Sequence, residues 1–253
     1  MSWARDEVLF RAQFGLFGLG AVHDRVFREQ PDGSPEAVQQ VTFDLVRSLV
    51  DDGLAVIGDR TRQGFVAWTI PVADGLERIR AGFAAHVADQ NVDAFDSPWL
   101  RLTEAGRRAA QAIPVDNGEE SSDSAVRQWN WPFADAAREV LLYGTIDWIE
   151  LGQIHWRVKE VSPGEPAAVL QQRTLELIAD LIGGGLAGIG SIGSGGRGFM
   201  PWEGSLEEKL SRIRSVYVDG YDNTDVWYWY CVLELTRKGE LFARAIEAQA
   251  QPR

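Results

Sequence analysis

His23 and His155 lie 132 residues apart in matching surroundings, and imidazole is the side chain best suited to moving protons near neutral pH. Catalysis or metal ligation would need partners for them: a nucleophile, further imidazoles or converging carboxylates. The third histidine, His86, has no counterpart, and the single cysteine, Cys231, aligns with Pro98. A structural role, bonding a backbone group or capping a helix, is therefore expected for both histidines. Gly188-Ile189-Gly190-Ser191-Ile192-Gly193 has the spacing of a dinucleotide-binding turn. That chemistry needs a preceding strand and a helix opening at the last glycines, so that a helix N-terminus meets the pyrophosphate. A helix is expected before the string, Ser194-Gly195-Gly196-Arg197 follows it, and the aligned Val56–Thr61 lacks the pattern. The string is read as an expanded turn. Asp219, Asp222 and Asp225 could bind calcium weakly, but their spacing does not make a loop with a dependable ligand set, and they are expected to solubilise a turn. Gly-x-Ser-x-Gly, His-Glu-x-x-His, a phosphate-binding loop and spaced cysteines are all absent from the sequence. The expectation is a non-enzymatic protein with no cofactor and no metal.

The aromatic residues carry the remaining signal. Six of the ten tryptophans cluster as Trp129/Trp131, Trp148/Trp156 and Trp227-Tyr228-Trp229-Tyr230. Read as part of a strand over Trp227–Leu235, the last block would turn Trp227 and Trp229 to one face and Tyr228 and Tyr230 to the other. One face would pack on a core and the other would await cover. Tryptophan and tyrosine dominate binding hot spots, because they bury a large rigid area at low entropic cost. The expected partner-binding residues are Trp227, Tyr228, Trp229 and Tyr230, together with Arg60, Arg62 and Arg197. Trp68 and Trp202, which align with each other, are expected to fill cores.

These residues are positioned by a sequence written twice. Shifting the chain by 132 lays Glu7–Asp59 on Glu139–Ser191 without a gap, with 19 of 53 positions identical. The identities include Leu19/Leu151, Gly20/Gly152, His23/His155, Arg25/Arg157, Gln39-Gln40/Gln171-Gln172 and Thr42/Thr174. A two-residue insertion then sets Gly64-Phe65-x-x-Trp68 on Gly198-Phe199-x-x-Trp202, and Leu102-Thr103-x-x-Gly106 matches Leu235-Thr236-x-x-Gly239. Two copies of one domain follow, over residues 1–113 and 130–253, because the period is far too long for a solenoid. Residues 114–129 between them are acidic and serine-rich and read as a linker.

Within a copy the spacing predicts helices over Glu7–Phe17 and Leu19–Glu29. A third starts at Ser34-Pro35, with serine as N-cap and proline at the first helical position. Val38, Thr42, Leu45 and Leu49, repeated as Leu170, Thr174, Leu177 and Leu181, give this helix one buried stripe, and it stops at Gly53 or Gly185. Ala55–Gly58 and Gly64–Trp68 suggest a hairpin. A helix with Leu76, Ile79, Phe83 and Val87 on one face follows; its counterpart opens with the capping box Ser205/Glu208. A last strand, Trp99–Leu102 or Trp227–Leu235, leads into a helix capped by Thr103 or Thr236.

The net charge of −12 repels phosphate. The lone cysteine, the acidic N-terminus and the lack of a long apolar run make a reduced cytoplasmic setting the expectation, with no membrane contact. A hydrophobic content of 45% supplies two cores.

Three helices, a strand, a hairpin and a closing Leu-Thr-x-x-Gly helix resemble bacterial winged-helix transcription regulators. The carrying motifs are Asp52-Gly53-Leu54 and Gly184-Gly185-Leu186 at the end of helix three, with Leu102-Thr103-Glu104-Ala105-Gly106 and Leu235-Thr236-Arg237-Lys238-Gly239 at the last. The resemblance implies an α+β, mostly helical chain of two tandem winged-helix-like domains, each with about four to five helices and a small antiparallel sheet. One departure is clear: a helix of roughly 15 residues lies between strands that the family joins by a short wing. If the function carried over, helix three would read DNA with Gln39, Gln40, Arg47, Gln171, Gln172 and Arg173. Those helices are net acidic, which favours a basic protein partner over DNA. An immunity protein or antitoxin masking a cationic toxin has this profile, with DNA-binding regulation as the alternative. The expected state is a monomer or weak homodimer.

Overall fold

The computed structural model describes residues 2–30, 32–61, 64–89, 98–114, 134–193 and 198–250. The expected linker beyond Pro114, Trp129, Trp131, Arg62, Arg197 and the side chains of Phe83, His86 and Val87 lie outside what is described. The chain is α+β, with eleven helices and two small antiparallel four-stranded sheets among the described residues. It divides into two compact units, one over Met1–Pro114 with Gly195–Gly198 and the other over Val115–Ser194 and Phe199–Arg253.

Unit one runs α1 (Trp3–Ala12), β1 (Phe17–Gly18), α2 (Leu19–Glu29), α3 (Pro35–Asp51), β2 (Ala55–Thr61), β3 (Gly64–Ala67), α4 (Val72–Asp89), β4 (Trp99–Leu102) and α5 (Glu104–Gln111). Unit two runs α6 (Ala134–Tyr143), β5 (Ile149–Glu150), α7 (Leu151–Glu160), α8 (Ala167–Gly183), β6 (Ala187–Ile192), β7 (Phe199–Pro201), α9 (Leu206–Tyr217), α10 (Thr224–Trp227), β8 (Val232–Leu235) and α11 (Arg237–Ala250). The sheet orders, β1-β4-β2-β3 and β5-β8-β6-β7, are the same, with Ala55 opposite Leu102 in one and Ala187 opposite Leu235 in the other. Each unit has its own apolar cluster, built on Val22, Val46 and Leu49 in unit one and on Ile154, Ile178 and Leu181 in unit two.

Local chemistry explains the long helices. The Ser34 hydroxyl accepts from the Ala37 amide at 3.2 Å with Pro35 at the first position, and Val38, Thr42, Leu45 and Leu49 are all buried. Ser205 and Glu208 make the reciprocal capping box that opens α9. Gly53 and Gly185 both sit at φ 68°, the left-handed conformation that ends α3 and α8.

The shared Leu-Thr-x-x-Gly motif is a latch onto this Gly-Leu turn. The Thr103 hydroxyl donates to the Gly53 carbonyl at 2.6 Å and accepts from the Gly106 amide at 3.1 Å; Thr236 does the same with Gly185 and Gly239 at the same distances. A Cβ on Gly106 or Gly239 would sit 1.9 Å from the carbonyl oxygen of Leu54 or Leu186. The motif keeps its glycine because the backbone of the Gly-Leu turn occupies the space.

Two expectations are corrected. Trp227–Tyr230 is not strand: Thr224–Trp227 is one helical turn, Tyr228–Tyr230 is a turn and bend, and β8 begins only at Val232. The Tyr228 carbonyl accepts from the Gly152 amide at 3.1 Å, so the segment is tied to α7 rather than to a sheet. The string Gly188–Gly193 is not an expanded turn either, since Gly188–Ile192 belong to β6, paired with both β7 and β8. Gly190 lets the Met200 carbonyl approach to 2.3 Å from where a Cβ would lie, and Gly58 does the same for Val66 at 2.2 Å. Glycine is used there for strand approach.

Candidate functional site

In unit two, α7, α8, α9 and α10 converge on His155. Its side chain is buried with the phenols of Tyr217 and Tyr221 on its two ring nitrogens, at 2.6 Å from Nδ1 and 3.2 Å from Nε2. Following the hydroxyl protons fixes the tautomer. Thr174 donates its proton to the Leu170 carbonyl at 2.7 Å, so it accepts from Tyr217 at 3.2 Å. Tyr217, its proton spent, accepts from His155 Nδ1–H, and the bare Nε2 accepts from Tyr221. Burial, aided by Lys159, lowers the imidazole pKa from 6.5 to about 4, so the ring is neutral near pH 7. Aromatic edges close the cluster: Trp227 lies 5.3 Å from His155 and 5.0 Å from Tyr217, and stacks on Tyr221 with planes 5° apart. The Trp227 indole donates to the Tyr221 carbonyl at 2.9 Å.

The partners of His155 are two tyrosine side chains, not the backbone group or helix end that the sequence suggested. His23 is half-buried. The residues aligned with Tyr217 and Tyr221 in copy one are Phe83 and Val87, which have no hydroxyl to offer it.

Trp227, expected at an interface, is 4% exposed and belongs to the core. Tyr228 is half-buried, its ring occupying the space a Cβ on Gly152 would need, 2.0 Å from that position. Tyr230 is half-buried against Trp202 at 5.6 Å. Trp229 alone of the four is open to solvent, at 60% exposure, beside the 53% exposed Val226. The turn is held from beneath, so Trp229 is presented by a fixed base. Trp156, 51% exposed, lies on α7 one turn beyond Gly152, and so on the helix face that Tyr228 covers.

Trp202 is buried as expected. Its indole donates to Ser191 at 2.7 Å and Arg212 lies 3.8 Å above its ring. Unit one repeats the pair, with Arg78 over the half-buried Trp68 at 4.3 Å and, in place of Ser191, Asp59 at 3.7 Å from Arg78. Arg60 is exposed and lies over Trp99 at 5.2 Å.

The candidate base-reading residues are scattered in character. Gln171 is buried, donating to the Tyr217 carbonyl at 3.2 Å, which corrects its assignment to a solvent face. Gln40 and Gln172 donate along their own helices to Asp44 and Glu176, and Gln39 is half-buried. Arg173 is held by Glu165 at 3.0 Å and Ser162 at 2.8 Å. Arg47 is exposed and makes no ion pair among the described residues. Asp219, Asp222 and Asp225 are all exposed, and no three potential ligands group to hold a metal among the described residues.

Sequence reasoning missed the His155 cluster. Its only trace was a hydroxyl-bearing Thr174 repeated from Thr42, with tyrosines present in one copy alone. Comparison with protein-family models, curated proteins and solved structures gave no match. No helix among the described residues is long and apolar enough to cross a membrane.

Proposed function

We propose that the chain is a non-enzymatic binding protein of two winged-helix-like units, and that it holds a basic protein through Trp229, Val226 and Trp156 of unit two. The observation that carries this reading is the exposure of Trp229 and Val226 on a turn locked by Tyr228 over Gly152 and by Trp227 in the His155 cluster. An ordered aromatic loses little entropy on binding. The net charge of −12 would speed encounter with a cationic surface. Masking of a basic, nucleic-acid-active toxin, as an immunity protein or antitoxin does, is the role this combination fits.

The winged-helix-like reading rests on the order of two helices, long third helix, hairpin and latched closing helix in each unit. The alternative, DNA-binding regulation, is the weaker one: Gln171 is buried, Arg173 is engaged by Glu165, and the exposed faces of α3 and α8 carry Asp44, Asp51, Glu176 and Asp180.

The test is affinity capture from the source cells with wild-type and Trp229→Ala baits, quantified by mass spectrometry, alongside a gel shift with random duplex DNA. The expected result is a basic protein retained by the first bait and lost from the second, with no shift of the duplex. Salt-sensitive retention of duplex DNA, with no protein lost from the variant bait, would overturn the reading.

A further inference from the structure

Unit one carries a groove whose counterpart within unit two is filled. It lies between α3 and α4, has a volume of about 350 Å³, and is lined by Phe43, Arg47, Asp51, Leu76, Glu77 and Arg80, with Val72 and Ala73 at the start of α4. Phe43 and Leu76 are buried and form an apolar floor. The rim is charged: Arg80 lies over the Phe43 ring at 5.4 Å and 3.9 Å from Glu77. Arg47 and Asp51, four residues apart on one face of α3, are both exposed and make no ion pair among the described residues.

The duplication supplies a control. The residues of unit two aligned with Arg47, Asp51, Val72 and Glu77 are Ala179, Gly183, Leu206 and Ser211. There Leu206 turns onto the small Gly183, 4.0 Å from its Cβ position, and joins Ala179 and Ile182 against the core. One helix thus fills the corresponding cleft with its own leucine. In unit one the leucine is shortened to Val72, left 40% exposed, and the glycine it would cover is Asp51.

We propose that the α3–α4 groove of unit one takes an amphipathic helical segment of a protein partner, whose aliphatic side chain fills the place Leu206 fills in unit two. An acidic residue of that segment faces Arg47, and a basic residue one turn away faces Asp51. Helix-in-groove recognition uses an apolar anchor for affinity and flanking charges for register. The sister cleft shows that an aliphatic group fits this position, and the unengaged pair of opposite charges sets what must flank it. The proposal shares with the preceding section the premise that the chain binds protein. It concerns a separate surface, and Trp229 plays no part in it.

The test pans a displayed library of helical peptides against the full-length chain. Selected clones are then measured against Arg47→Glu, Trp229→Ala and the double variant Val72→Leu with Asp51→Gly, which recreates the closure of unit two. The expected result is a consensus with Leu, Ile or Phe between an acidic and a basic residue. Affinity should fall at least tenfold with Arg47→Glu, recover when the peptide's acidic residue is changed to lysine, vanish in the double variant and survive Trp229→Ala. Circular dichroism and thermal unfolding check that each variant is folded, since Arg47, Asp51 and Val72 are all outside the core. An empty selection, or clones indifferent to Arg47→Glu, would overturn the groove. Clones lost only with Trp229→Ala would overturn it while supporting the unit-two surface, and selection of uniformly basic peptides would equally count against it.

Discussion

The phenols around His155 leave its ring a single arrangement of protons, and that arrangement has a price at low pH. A proton added to Nε2 meets a hydroxyl already donating to it, inside a buried aromatic cluster. The folded pKa is depressed to about 4 while the unfolded ring titrates near 6.5. Between those values the unfolded chain binds the extra proton, so stability is complete above pH 6.5 and falls as the pH drops toward 4, by on the order of 3 kcal/mol. Urea titrations at pH 7 and pH 4.5 measure this loss, and His155→Gln should flatten that part of the profile. Tyr217→Phe leaves Nδ1–H and Thr174 without their shared partner and should cost about 1–3 kcal/mol. The neighbouring tryptophans separate fold from recognition: Trp227→Ala should cost about 3–5 kcal/mol as a buried aromatic, whereas Trp229→Ala should leave the melting temperature nearly unchanged and weaken partner binding.

Among the elements, the latch between Leu-Thr-x-x-Gly and the Gly-Leu turn explains why two short motifs recur together. Gly239→Ala drives a methyl into the Leu186 carbonyl, and calorimetry should show a loss of several kcal/mol; Thr236→Val, which removes one hydrogen bond and one cap, should cost about 1–2 kcal/mol. The helices from Ser34-Pro35 and Ser205 were legible because their signals are local: a cap, a proline, a stripe of aliphatics. The aromatic block was not. Trp-Tyr-Trp-Tyr alternates like a strand, and what makes it a turn is remote, namely the Gly152 amide reaching the Tyr228 carbonyl and the bare Gly152 surface under its ring. The glycine string misled in the opposite sense, since its small residues serve close strand approach and read like a loop.

At the level of the whole molecule, the doubled sequence displayed the domain plan and the matching order of elements. It concealed what differs between the copies, because the His155 cluster and the open groove each depend on side chains from several helices meeting in space. Two separate apolar clusters predict two unfolding steps in calorimetry, of which Tyr217→Phe should move only one. Cys231 offers a way to watch that lobe. It follows the Tyr228–Tyr230 turn directly, is wholly buried, and burial pushes its thiol up to about 12. As the sole thiol in the sequence, it can be alkylated only when the segment lifts away. The modification rate by a maleimide is thus a stopwatch for the loosening of the tryptophan-bearing turn, and a ligand seated on Trp229 should slow it.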